Sequence, residues 1–165
     1  MARMTHLDGR GAARMVDVGG KPTTARRAVA EAMVRFNAEA FGALRGATLA
    51  KGDALAVARL AGIQAAKRTD EWIPLCHAVP LDRLDVEVEL IDDERAARIT
   101  GTASARWSTG VEMEALVAVS AAALALYDMA KALDRGIVVE RVRLLEKDGG
   151  RSGTWRRAAA GRTST

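Results

Sequence analysis

The chain has 165 residues, a net charge of +4 and a hydrophobic fraction of 49%, which excludes wholesale disorder and suits one domain with a real core. Only six residues are aromatic, so that core must be aliphatic and small-grained. Cys76 is the single cysteine, which rules out an internal disulfide, fits a reducing cytoplasm and, with only His6 and His77 beside it, leaves too few ligands for a Cys/His zinc site.

The basic charge is spread along the sequence, so a small anionic ligand suits it as well as a polymer. Of the 25 basic residues only five are lysines: Lys21, Lys51, Lys67, Lys131 and Lys147. Where Arg is the default, each Lys is a candidate for work Arg does poorly, because a desolvated ammonium can lose its proton near neutral pH. The only apolar run near the ~20 residues of a membrane span is an Ala-rich helix that carries charges, and no signal-peptide core opens the chain. The expectation is a soluble cytoplasmic protein with no membrane partner.

In chain order, residues 1–13 read as a flexible arm and Met15-Val16-Asp17-Val18 as a short strand stopped by Gly19-Gly20 and Pro22. From Thr24 to Phe36 apolar residues alternate with Arg27, Glu31 and Arg35, which predicts a strand despite the alanines. Asn37 caps a short helix that Gly46 ends, and Asp53 caps a second over 55–67, its pattern interrupted at Gly62. Pro74 and Pro80 then bracket Leu75-Cys76-His77 in a loop that cannot be regular. Strands over 84–90 and 97–107 form a hairpin through Asp92-Asp93-Glu94. From Val111 to Leu133 there is no Gly or Pro, and Ala and Leu predict one long helix, with Glu112 and Glu114 in its first turn and Gly136 as the C-terminal cap. Strand material at 137–139 and 142–145 precedes the loop Lys147-Asp148-Gly149-Gly150, and 156–165 reads as a flexible tail. Strand, helix, strand, strand, helix, strand is the split βαβ order: an α+β ferredoxin-like antiparallel sheet with helices on one face, additions at the front, and a single domain over 14–155.

On the long helix Met113, Val117, Ser120, Leu124, Asp128 and Lys131 line one stripe. An acid and an amine three residues apart are either a plain i, i+3 ion pair or an acid/base pair with pKa values set by partial burial. His77 sits in a preorganised loop, as a binding histidine does, although a buried histidine bonded to backbone is an equally ordinary outcome. Cys76 beside it reads as a small buried hydrophobe and not as a nucleophile. The loops at Lys51-Gly52-Asp53 and at Lys147 join a cation to exposed amides, though neither is a Walker A loop.

Taken together, Met15–Val18, Lys51-Gly52-Asp53, Ala61-Gly62-Ile63-Gln64-Ala65-Ala66-Lys67-Arg68-Thr69, Ile73-Pro74-Leu75-Cys76-His77, Gly110-Val111-Glu112-Met113-Glu114-Ala115-Leu116, Tyr127-Asp128-Met129-Ala130-Lys131 and Val142–Leu145 with the Lys147 loop follow one another as a set. The set, over about 14–153, resembles the cyclic pyranopterin monophosphate synthase family of molybdenum-cofactor biosynthesis. The resemblance implies a ferredoxin-like subunit in a homohexamer, a trimer of dimers. It implies a lyase that converts (8S)-3′,8-cyclo-7,8-dihydroguanosine 5′-triphosphate to cyclic pyranopterin monophosphate and diphosphate. Asp128 and Lys131 match catalytic positions, with Lys51 and His77 beside them. Leu75, Cys76, His77, Glu112, Met113, Glu114, Lys67 and Lys147 fall with the substrate-binding set. No resident cofactor or metal is implied, although Mg²⁺ can accompany the triphosphate.

Glu114 and Asp128 stand 14 residues apart, roughly 21 Å along a helix, so a compact site is expected at a subunit interface, with its two ends from different protomers. The rivals are a basic nucleic-acid-binding module, which lacks stacking aromatics and a clustered basic stripe, and a non-catalytic nucleotide sensor.

Overall fold

Alternation decides the first element. In β1 (Thr24–Arg35) Ala28, Ala30, Ala32 and Val34 share one face and are fully buried, while Arg27, Glu31 and Arg35 lie on the other. A period of two places alanines in a strand even though their propensity is helical. The structure, a computed structural model, describes residues 10–158. The arm and the tail expected at the two ends fall largely outside them.

Asn37 caps α1 (Ala38–Arg45), its side chain accepting from Ala40 N at 2.8 Å. Asp53 caps α2 (Ala54–Ala66) in the same way, from Ala56 N at 3.0 Å. A single-turn helix, α3 (Thr69–Trp72), which sequence reasoning missed, leads into the proline-bracketed loop. The hairpin follows as β2 (Arg83–Ile91) and β3 (Ala96–Trp107), then α4 (Glu112–Ala130), β4 (Val138–Asp148) and a two-residue β5 (Trp155–Arg156). The sheet runs β2-β3-β1-β4-β5 with every neighbour antiparallel, and the helices pack on one side of it. This is the expected α+β, ferredoxin-like split βαβ arrangement.

The alanine content has a packing reason. α4 packs against both α2 and the sheet, and a Cβ on Gly62 of α2 would stand 2.8 Å from the Ala118 carbonyl oxygen, one on Gly101 of β3 2.9 Å from a Val119 methyl. Gly62 therefore does not break α2; it is where α4 crosses it. α4 is long and apolar enough to cross a membrane, but Ala115, Ala118, Ala122 and Leu126 are buried in this core.

Three expectations are corrected. Residues 15–18 are not a strand: the segment is irregular, apart from an isolated bridge at Ala13, and runs along the cleft described next. Gly136 does not cap α4, which ends at Ala130 with Lys131 as its C-cap; the Gly136 N–H instead donates to Asp134 at 2.8 Å. The two strand pieces after α4 are one strand, interrupted in pattern because its pairing with β1 shifts near Arg141, which adopts φ 54°.

Candidate active site

At the N-terminal end of α4 the proline-bracketed loop, the 15–23 segment and the first helical turn enclose a cleft in three connected parts. A lobe of about 390 Å³ is lined by Leu75, Cys76, His77, Glu112, Met113 and Glu114, all expected at the site. A second lobe, about 520 Å³, continues past Cys76 and His77 to Asp70 and Trp107. A third, about 650 Å³, is lined by Arg26, Glu112, Lys147 and the Gly150–Ser152 turn. Lys21 lines all three.

Glu114 is 3% exposed, and one of its carboxyl oxygens is buried with no hydrogen-bond partner. Burial, aided by the neighbouring charges of Glu112 and Asp70, pushes its pKa up to about 7. A buried acceptor of this kind suits a ligand that brings N–H donors. Burial also raises the Cys76 thiol, with Glu114 and Asp70 adding to the effect, which favours the protonated form. Glu112 pairs with Lys147 at 3.2 Å, and Lys147 also donates to the Ser152 hydroxyl at 3.1 Å.

At the other end of α4 the Asp128 carboxylate meets two amines, Lys131 at 2.7 Å and Lys51 at 2.6 Å, and Lys51 also donates to the Asp128 carbonyl. Lys51 arrives from the turn before α2, where Gly52 holds φ 92°. All three side chains are about half exposed. Within one copy of the chain pairing, and not burial, shifts the two groups. Hydrogen bonds from Lys131 and then Lys51 bring Asp128 down to about 2, and the same contact raises Lys131 above its ordinary value. Within one copy of the chain the contact therefore favours the ammonium form of Lys131 and the carboxylate form of Asp128. The physical reason is that the exposed cluster incurs little desolvation to set against the pairing.

The tertiary structure thus collects the expected residues into two groups, at opposite ends of one helix. Lys67 joins neither: it caps the end of α2 beside an open groove at 79–84. Sequence reasoning missed Lys21, Arg26 and Asp70. The scarcity of lysine marks Lys21, but no local pattern gave it a partner, and Arg26 sits in an alternating strand where a charge looks merely solvated. Arg26 donates to the Trp107 and Ser108 carbonyls at 3.2 and 3.3 Å and so ties β1 to the turn before α4. Among the described residues no group of three or more His, Cys, Asp or Glu is arranged to hold a metal ion.

A ferredoxin-like sheet with a cleft lined by lysines and carboxylates defines a small α+β protein with a polar cleft at the start of its long helix. Residues 15–150 match the model of the MoaC family, and the chain belongs to that family. It is 55% identical to the cyclic pyranopterin monophosphate synthase of Thermomicrobium roseum over 95% of each chain, and 52% identical to that of Novosphingobium aromaticivorans over 96% of this chain and 99% of the relative. Human molybdenum cofactor biosynthesis protein 1 is 51% identical over 94% of this chain, which covers 24% of the human protein.

Proposed function

We propose that the chain catalyses formation of cyclic pyranopterin monophosphate in molybdenum-cofactor biosynthesis. The observation that carries this is identity above 50% over nearly the whole chain to enzymes of that name. The substrate in this reading is (8S)-3′,8-cyclo-7,8-dihydroguanosine 5′-triphosphate. The reaction is a lyase step: a sugar oxygen closes on the α-phosphorus as the bond to diphosphate breaks, and the purine-derived rings reopen and reclose.

Each part of that chemistry has a residue suited to it. Protonated Lys131 can deliver a proton to nitrogen or oxygen, with ionised Asp128 and Lys51 holding it in place. Glu114 and Glu112 can accept from the amino and ring N–H groups of the base. Lys147, His77 and Lys21 supply donors where negative charge develops on phosphate. No resident metal is assigned; a Mg²⁺ ion would come with the triphosphate.

The two groups of residues occupy opposite ends of α4, which supports a site completed between protomers; the homohexamer, a trimer of dimers, rests on the family resemblance. The enzyme would act in the cytoplasm. Anaerobic incubation of the cyclised nucleotide with assembled protein, following diphosphate and pterin product, tests the reading. Product from wild type and none from folded Lys131→Ala supports it. No turnover by wild type, with nucleotide bound, replaces it by a nucleotide sensor.

A further inference from the structure

The cleft lobes at the start of α4 differ in chemistry, and one side chain stands between them. The lobe around Leu75–His77 holds the unpartnered Glu114 oxygen, an acceptor site for a base edge. The lobe under the glycine turn is lined by Lys21, Arg26, Lys147 and Arg151 against a single carboxylate, Glu112, and so carries a clear positive excess. The Thr24 hydroxyl, lining the same lobe, is buried and has no hydrogen-bond partner. Cations around an orphan hydroxyl suit a chain of phosphates.

Glu112 lines both lobes and spends its charge on Lys147 at 3.2 Å. Its carboxylate folds back over Gly110, where a Cβ would overlap it, so glycine there makes room for this conformation. A polyphosphate seated in the basic lobe competes with Glu112 for the Lys147 ammonium. Once displaced, the carboxylate is left beside the base-binding lobe.

We propose that Glu112 is an exchangeable gate: it holds Lys147 while the cleft is empty, and a polyphosphate takes Lys147 and releases Glu112 to the N–H edge of the base. This deepens the proposed function and rests on it for the identity of the base. It makes the two halves of a nucleotide cooperative, since the phosphates prepare the acceptor that reads the base.

The test uses the full, assembled protein and inorganic tripolyphosphate, which has no base, measured by titration calorimetry. Glu112→Gln is expected to bind tripolyphosphate about fivefold or more tighter than wild type, because a partly exposed ion pair no longer competes for Lys147. The same variant raises KM for the cyclised nucleotide. Lys147→Ala loses most tripolyphosphate binding. Glu146→Gln, one residue from Lys147 but paired with Arg27 on the other face of the sheet, controls for removal of any nearby charge and leaves the affinity within about twofold. Equal or weaker tripolyphosphate binding by folded Glu112→Gln, or equal tightening by Glu146→Gln, overturns the gate while wild-type turnover leaves the proposed function standing. Tightening by Glu112→Gln with no wild-type turnover keeps the exchange at Lys147 and removes its assignment to this reaction.

Discussion

The two ends of α4 treat an acid in opposite ways. At the first turn Glu114 is buried with an oxygen unpartnered, and its pKa is pushed up to about 7. At the last turn Asp128 stands half in solvent between two lysines and falls to about 2. The same helix therefore presents a carboxyl poised to change state near neutrality and one fixed as an anion. Walls decide the first and ion pairs the second. The first end is walled by the loop at 74–80 and the 15–23 segment, whereas the carboxylate and amines at the other end stand about half in solvent.

The largest effect expected at the open end is on rate. Lys131→Ala should lower kcat on the cyclised nucleotide ~10³-fold or more, the scale of lost general acid catalysis, with an unchanged circular dichroism spectrum and assembly. A destabilised protein with near-normal kcat would reduce the cluster to a structural ion pair.

Complementation sharpens the comparison itself. Asp128→Ala and His77→Ala carry lesions at opposite ends of α4, so mixed oligomers should contain some intact sites and recover activity that neither variant has alone. Demonstrated subunit exchange without recovery would mean that the two ends do not share a site.

At the enclosed end the expected effect is on stability and its pH dependence. The folded state binds the Glu114 proton more tightly than the unfolded chain, so that stabilisation is fully present below about pH 4.5 and is lost as pH rises through about 7. Glu114→Gln keeps the shape without the charge. Relative to wild type it should gain up to about 3 kcal/mol between pH 4 and pH 8 in denaturant unfolding. A constant difference across that range would show that ionised Glu114 is solvated.

The smallest effect concerns the frame that separates the ends. Gly62→Ala places a Cβ 2.8 Å from a backbone oxygen of α4, which cannot move away as a flexible side chain can. A loss of about 1–3 kcal/mol is expected in denaturant unfolding, with similar relative activity in the folded fraction.

Much of this was legible in the sequence where the cause is local. The period of two in β1, the caps at Asn37 and Asp53, the hairpin at 92–94 and the long α4 all follow from neighbouring residues, and they suffice for the ferredoxin-like order. Long motifs around Lys51, Leu75–His77, Glu112–Glu114 and Asp128–Lys131 pointed to the family to which the chain belongs. The sequence also determined that Glu114 and Asp128 lie at opposite ends of one helix, because helical rise is fixed.

Only the tertiary structure decided what faces those residues. Residues 15–18 have strand composition, yet they run along the cleft as irregular chain. Lys51 lies 77 positions before Asp128 and still completes its pair, and Arg26 reaches across the sheet to the turn at Ser108. The pKa of Lys131 could not be read from its spacing, since spacing gives a neighbour but not its degree of exposure. Burial and long-range pairing are sums over segments distant in the chain, so they exist only once the fold has brought those segments together.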